Sequence, residues 1–127
     1  MSQENVEIVR SIYRAWEEHS HRWRELMDPN IAYVNPDDAV EAGTIYGPDS
    51  FTKWRSGYER FDITPREFID AGDEVVVIAA VRALGQASGM KTQWDQGYVW
   101  TIQDGIAVRF RWFNDSGKAL EAAGLRE

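Results

Sequence analysis

Tyr33 and Asn35 are the residues of this sequence with the strongest claim to chemistry. They lie two apart in a short apolar segment that ends at Pro36, so in a strand both side chains point to the same side. A buried phenol and a buried carboxamide need hydrogen-bond partners, and both can orient a carbonyl or hydroxyl group. We therefore predict catalytic roles for Tyr33 and Asn35. In the alternative interpretation, Asn35 caps a turn before Pro36 and Tyr33 only packs.

A larger set of residues could hold a flat or polycyclic apolar ligand. The chain has six tryptophans, and aromatic side chains bind such ligands by burial and stacking. Ala79 would leave volume unfilled on a strand, and Gln96 could donate to a ligand carbonyl or bond to Asn35 or Tyr33. The predicted ligand-binding residues are Tyr13, Trp16, Trp54, Tyr58, Ala79, Trp94, Gln96, Tyr98, Phe110 and Trp112. The alternative is that this aromatic set is ordinary core.

The remaining titratable residues suggest neither a metal site nor a cofactor. His19 and His21 flank the end of the first predicted helix, where histidine is usually exposed. Asp37, Asp38 and Glu41 lie in a loop that could rim a pocket and supply a carboxylate, although an acidic surface loop is commoner. With no cysteine and only two neighbouring histidines, no set of metal ligands stands out.

Length and charge bound the class of protein. The 127 residues predict a single domain over residues 1–127, with room for a sizeable core. A formal charge of −7 argues against nucleic acid or an anionic membrane as a partner. The segment 75–81 is too short to cross a bilayer, and the first residues do not resemble a signal peptide. We expect a cytoplasmic protein.

Three helices are predicted in the first half of the chain. Apolar residues at helical spacing indicate a helix from Ser2 or Asn5 to about His19. A shorter helix is expected over residues 21–27, closed by a turn at 28–30. A third helix is expected to begin after the Gly47-Pro48 pair. Its buried stripe would consist of Phe51, Trp54, Tyr58 and Phe61.

From Ile63 onward the apolar period changes to two, which indicates strands. Strands are expected over 31–35, 63–70, 75–84 and in a hairpin over 91–115, and residues 37–46 are expected to form a loop. A short helix over 116–124 should end at Gly124. This order predicts an α+β fold, in which a cone-shaped, curved antiparallel sheet carries three helices on its concave face and encloses a pocket.

The faces of the hairpin depend on its turn. A two-residue Asp104-Gly105 turn would pair Trp100 with Arg109, whereas a three-residue loop followed by a bulge brings aromatic residues together. The hydrophobic pattern favours the second arrangement, since a one-residue slip exchanges the two faces. Its predicted pairs are Trp100 with Val108, Tyr98 with Phe110, and Gln96 with Trp112. Arg109, Arg111 and Asp95 would then lie on the opposite, outward face.

Several segments resemble the SnoaL-like families of the nuclear transport factor 2 and ketosteroid isomerase superfamily. They are ENVEIVR at 4–10, FIDAGD at 68–73, VWT at 99–101 with DG at 104–105, and ALEAAGL at 119–125. The resemblance covers nearly the whole chain. It implies a pocket between the helices and the sheet, and commonly a homodimer through the outer sheet face. It is unspecific for activity, because this fold hosts isomerases, cyclases, dehydratases, hydrolases and binding modules.

The catalytic residues of two related enzyme classes are largely replaced. Where ketosteroid isomerases have an aspartate base, this sequence has Asn35, which cannot shuttle a proton at neutral pH. The pair Tyr33 and Asn35 resembles the water-positioning pair of limonene-type epoxide hydrolases. The charged residues of that family, however, are replaced here by Val77, Ala79 and Trp112.

Two functions therefore follow from the sequence. The first is a pocket protein for a small apolar or aromatic metabolite, with isomerase, cyclase, dehydratase or epoxide-hydrolase-like chemistry at a non-standard site. The second is a non-catalytic ligand-binding or assembly module of the same fold.

Overall fold

The computed structural model describes residues 2–39, 41–53, 58–85 and 89–125. The strands in this part of the chain are β1 (Met27–Asn35), β2 (Gly43–Tyr46), β3 (Tyr58–Ala71), β4 (Glu74–Gly85), β5 (Lys91–Gln103) and β6 (Ile106–Phe113). The helices there are α1 (Ser2–Glu17), a 3₁₀ helix (His21–Leu26), α2 (Ser50–Lys53) and α3 (Ser116–Ala122). None of these helices is long and apolar enough to cross a bilayer.

The described strands form one unclosed sheet in the order β2-β1-β6-β5-β4-β3. All neighbours are antiparallel except β1 and β6, which run parallel. Register shifts interrupt the β1–β6, β3–β4 and β5–β6 ladders, and such bulges bend a sheet. The predicted α+β class with a curved sheet is confirmed.

Helix α1 covers the inner face of the sheet, which we define by Val75, Val77 and Trp100. Its buried stripe includes Val9 and Ile12, which are fully buried as the helical spacing predicted. The helix ends at Glu17, because the following residues turn the chain. The Ser20 amide donates to the Ala15 carbonyl at 2.8 Å, and His19 takes a left-handed φ of 56°.

The next two elements differ in part from the prediction. The second helix is a 3₁₀ helix, capped by the Ser20 hydroxyl, which accepts a hydrogen bond from the Arg22 amide. The predicted turn at 28–30 lies within β1 as an irregular segment, where Asp28 Oδ1 accepts from the Asn30 amide at 2.7 Å. The segment predicted as the loop 37–46 also contains β2, a short exposed strand that pairs with β1.

The prediction of a long third helix is wrong. Among the described residues α2 spans Ser50–Lys53, and Tyr58 and Phe61 lie in β3, which pairs with β4 over nearly all its length. The apolar spacing of Phe51 and Phe61 does not separate a helix from a strand, and backbone pairing with β4 decides for the strand. Trp54 lies outside the described residues.

The β5–β6 hairpin has the predicted faces but not the predicted pairs. Its turn is the two-residue one, with positive φ at Asp104 (52°) and Gly105 (84°). A bulge follows, and Val108 is the extra residue. Trp100 therefore pairs with Phe110, and Tyr98 with Trp112, two positions away from the predicted register.

Arg109 and Arg111 lie on the outer face, as predicted. Both guanidinium groups reach Glu74 Oε2 on β4, with Nη2 distances of 3.4 Å for Arg109 and 2.9 Å for Arg111. The hydroxyl group of Thr101 donates to the same oxygen at 3.3 Å. Burial, and then the charge of Arg109, lower the pKa of Arg111 from its ordinary value. The sequence did not indicate Glu74 as the partner of these arginines.

Helix α3 packs on the outer face, opposite the other helices. Its Ala119 is fully buried against Val76 and Val99. Gly97 on β5 permits this close approach, because a Cβ atom there would lie 2.5 Å from the Cβ of Ala119 and 3.1 Å from the Cα of Ser116.

Substituting Gly97→Ala should therefore lower the free energy of unfolding by about 1–3 kcal/mol, since α3 would have to move. Denaturant titration followed by circular dichroism would measure the loss. Ala119→Gly alone should cost about 1 kcal/mol through helix propensity. The double variant should lose less than the sum of the two single variants, because the Cβ–Cβ clash is gone. Additive losses would contradict this account of Gly97.

Candidate functional site

A cavity of about 820 Å³ lies between the inner face of the sheet, α1, the 3₁₀ helix and α2. This volume is typical of sites for small organic ligands. Exposed residues such as His19, Arg24, Glu41 and Ile45 stand along its mouth, so the cavity opens to solvent. The sequence-predicted residues that line it are Tyr13, Trp16, Tyr33, Asn35, Trp94, Gln96, Tyr98, Phe110 and Trp112. Their catalytic and binding roles stay predictions.

The other three predicted residues do not contribute a described side chain to the cavity. Ala79 is fully buried in the core and is not among the residues that line the cavity. The reason is that α1 packs across β3 and β4 and covers this part of the inner face. Tyr58 begins β3, and only its backbone is described. Trp54 lies outside the described residues.

Strand register arranges the lining residues in two levels. Tyr33 pairs with Phe110, and their rings line the deeper level, while the fully buried Trp100, which pairs with Phe110, packs behind them without lining the cavity. Phe51 from α2 closes this level, with ring centroids 5.0 Å from both Tyr33 and Phe110. This arrangement gives the cavity an apolar floor.

The second level lies nearer the ends of β1 and β6 and contains most of the polar side chains. Trp112 pairs with Tyr98, and Asn35 follows Val34, which pairs with Arg111, so Asn35 stands level with Trp112. We call this group the polar band and define it as Asn35, Gln96, Tyr98, Trp112 and Asn114. Except for the Tyr98 phenol, none of its side chains titrates.

Two strings of hydrogen bonds order the polar band. In the first, Trp112 Nε1 donates to Asn35 Oδ1 at 2.7 Å. In the second, the Tyr98 hydroxyl donates to Gln96 Oε1 at 2.7 Å, and Gln96 Nε2 donates to Asn114 Oδ1 at 3.1 Å. The bond from Gln96 to Asn35 or Tyr33, considered from the sequence, is replaced by the bonds to Tyr98 and Asn114.

Tyr13 joins the floor to helix α1. Its hydroxyl oxygen accepts a hydrogen bond from Trp100 Nε1 at 3.1 Å, and its ring packs against Trp16 and Phe68. Burial raises the pKa of Tyr13 well above its ordinary value, and the neighbouring Tyr98 phenol raises it further. The hydroxyl group therefore stays protonated in the folded protein.

Among the described lining residues, the histidines and the charged side chains lie at the mouth of the cavity. His19, His21 and Arg24 come from α1 and the 3₁₀ helix, and Glu41 comes from the loop before β2. Glu41 is the one carboxylate among the described lining residues. The deeper cavity thus offers neutral hydrogen-bonding groups and aromatic rings, but no described carboxylate that could act as a base.

Sequence reasoning missed several residues of the site. Asn114 continues the inward alternation of Phe110 and Trp112, so its position was available as a signal. Phe51 was expected only in the buried stripe of a helix, and the sequence did not single out Trp23. They line the cavity because α2 and the 3₁₀ helix end against its deeper level, which local periodicity does not reveal.

The SnoaL-like domain model matches residues 9–110, which is most of the sequence, and the chain belongs to this family. Among curated proteins, none matches the sequence.

Solved structures with the same fold are similar at low sequence identity. An NTF2-like protein of unknown function from Burkholderia pseudomallei K96243 has a TM-score of 0.74 and 23% identity, covering 93% of this chain and 95% of its own. TerC, co-crystallised with polyporic acid, has a TM-score of 0.74 and 23% identity, covering 95% and 98%. A protein assigned to the SnoaL-like polyketide cyclases, from Jannaschia sp. CCS1, has a TM-score of 0.73 and 20% identity, covering 98% and 94%. At these identities the likeness concerns the fold.

Replacing Tyr13 by Phe should lower the free energy of unfolding by about 1–3 kcal/mol, because the buried Trp100 Nε1 group loses its acceptor. The pH dependence should change as well. The pKa of Tyr13 is raised in the folded state. The stabilisation that its protonated hydroxyl group provides is therefore complete below the pKa of an unfolded tyrosine, about 10, and is lost as the pH rises from there toward the pKa of the folded state.

Denaturant titrations between pH 8 and pH 11 would test both effects. Wild-type stability should fall above pH 10 more steeply than that of Tyr13→Phe, by up to about 1.4 kcal/mol per pH unit. Tyr46→Phe is the matched control, since the Tyr46 side chain is 70% exposed. Parallel curves for wild type and Tyr13→Phe would contradict the assignment.

Proposed function

We propose that this protein binds a planar, mainly apolar metabolite in the cavity and orients it by an oxygen group placed at the polar band. The observation that carries this proposal is the two-level arrangement of the cavity. Aromatic rings form its floor, and hydrogen-bonding amides stand on one level above them. Such a site holds a flat ring system by burial and stacking and fixes its direction by hydrogen bonds.

The size of the cavity suits a ligand of two to four fused rings. For a tricyclic compound, typical ligand efficiencies give a dissociation constant in roughly the micromolar to millimolar range. The fold neighbours that carry polyporic acid or belong to the polyketide cyclases support a small organic ligand for this chain.

A cavity-filling variant would test where the ligand binds. Ile63 lines the cavity, whereas the next residue, Thr64, is exposed on the other face of β3. Ile63→Trp should weaken binding of a tricyclic ligand by at least about tenfold, a loss of about 1.4 kcal/mol in binding free energy. Thr64→Trp should leave affinity unchanged. Intrinsic tryptophan fluorescence and calorimetry would measure both, and equal affinities in the two variants would rule out this cavity.

A second candidate function is an enzyme of the isomerase or cyclase class that uses a base at the mouth. The observation that favours it is the position of Glu41, which lines the cavity where the described deeper residues offer no carboxylate. Family members with this chemistry use inward carboxylates, and here a mouth carboxylate would take that role.

If the protein turns over a bound ligand in this way, Glu41→Gln should lower kcat by about 10²–10⁴ with little change in ligand affinity. Asp38→Asn is the matched control, because Asp38 lies in the same loop and forms an ion pair with Lys118 instead of lining the cavity. Single-turnover assays on both variants would separate chemistry from binding. Full activity in Glu41→Gln would eliminate Glu41 as the base.

A homodimer through the outer sheet face stays a proposal from the family resemblance. Helix α3 occupies part of that face against Val76 and Val99, so a second copy would meet the remaining strands and the helix together. The expectations of no nucleic-acid partner and no membrane partner stay predictions that rest on the acidic net charge of −7. A non-catalytic assembly module is the alternative if no ligand enters the cavity.

A further inference from the structure

The hydrogen bond between Trp112 and Asn35 fixes the direction of the Asn35 carboxamide. An indole Nε1 group is a donor only, so the amide oxygen must face it, as the 2.7 Å contact to Oδ1 shows. The Nδ2 group then points away from Trp112. Within the described residues no side-chain acceptor takes the Nδ2 hydrogens, and Asn35 lines the cavity.

We infer that Trp112 is a positioning residue that holds Asn35 as a hydrogen-bond donor toward the cavity, so that the site selects ligands by an oxygen acceptor. This inference rests on the proposed binding function and deepens it. The ligand class is a planar ring system with a carbonyl, carboxylate or phenolate oxygen. A ring system that offers only N–H or no polar group is bound less well.

The second string of hydrogen bonds also ends in an amide NH₂ group that can donate. The Tyr98 hydroxyl donates to Gln96, and Gln96 donates to Asn114, which leaves the Asn114 NH₂ group as the terminal donor. Asn114 is exposed, and it lines the cavity where the cavity is open to solvent. The polar band therefore presents two amide donors, and a ligand with two oxygen acceptors can use both.

The fixed amide also determines what Asn35 does not do. An asparagine whose oxygen faces the cavity can accept a hydrogen bond from a water molecule and orient that water for attack. Here the Trp112 indole takes one lone pair of Oδ1 and turns the NH₂ group toward the cavity, so Asn35 donates to a ligand oxygen and stabilises negative charge that develops on it.

Three tricyclic compounds of nearly the same shape provide the test. Fluorenone carries a carbonyl acceptor, fluorene carries no polar group, and carbazole carries an N–H donor. We expect wild-type protein to bind fluorenone about fivefold more tightly than fluorene, the effect of roughly one net hydrogen bond, and carbazole no better than fluorene. Calorimetry and tryptophan fluorescence would give the three dissociation constants.

Variants of Asn35 and Trp112 should change the ratio of the affinities for fluorenone and fluorene, and not only the affinities themselves. Asn35→Leu and Asn35→Asp should abolish the preference for fluorenone. Leucine has no hydrogen-bond donor, and an ionised aspartate only accepts hydrogen bonds. Trp112→Phe should reduce it by about half or more, because the amide can then turn its oxygen toward the ligand. Trp94→Phe is the comparison variant, since it also removes an indole from the cavity lining but has no hydrogen bond to an amide among the described residues. Both variants lose contact area with any ring system, so the affinities for fluorenone and fluorene should fall together in Trp94→Phe, and only Trp112→Phe should change their ratio.

A side-chain amide NMR signal provides a readout that does not depend on affinity. In ¹⁵N-labelled protein, the Asn35 NH₂ resonances should shift on addition of fluorenone but not of fluorene. The outcomes separate the two proposals. Equal binding of fluorenone and fluorene, or a Trp112→Phe variant with the wild-type ratio, would overturn the donor inference and leave the pocket proposal standing. Failure of all three compounds to bind would reject both.

Discussion

The bulge at Val108 is the constraint on which most of the structure depends. The Asp104-Gly105 turn has two residues, and continued without interruption it would pair Trp100 with Arg109. One extra residue in β6 restores the alternation, so Trp100 meets Phe110. The aromatic floor, the polar band and the ion pairs of Glu74 on the outer face all require this single inserted residue.

Burial of polar groups then determines what the cavity can do. Each described indole or amide of the polar band that leaves water has a partner, and the Tyr13 hydroxyl group meets Trp100 at the floor. A single hydrogen bond largely offsets the lost hydration of a neutral group, whereas a carboxylate at the same depth would need a cation or several donors. The described part of the site therefore has a defined direction of hydrogen bonding and no charged side chain below the mouth of the cavity.

The sequence predicted those parts of the fold in which local pattern and tertiary packing agree. The stripe of α1, the apolar run of β4 and the two faces of the hairpin follow directly from periodicity. The long third helix failed because Phe61 fits either period and the pairing of β3 with β4 decides. Strand β2 was missed since all its residues are exposed, and the exact hairpin pairs depended on a bulge that composition does not mark. In the site, Asn114 was missed although it continues the alternation of β6, and Phe51 was missed because its place in the cavity depends on a helix that only the tertiary structure locates.

The packing of α3 has a consequence for how this protein can diversify. Asn114 is separated from the start of α3 only by its cap, Asp115, and the helix is seated on the outer face through the Gly97–Ala119 contact. The position of one cavity amide is thus linked by a few covalent bonds to the packing of α3 on the outer face. A substitution under α3 that displaces the helix should therefore move Asn114 as well, although the substituted residue lies on the opposite face of the sheet from the cavity.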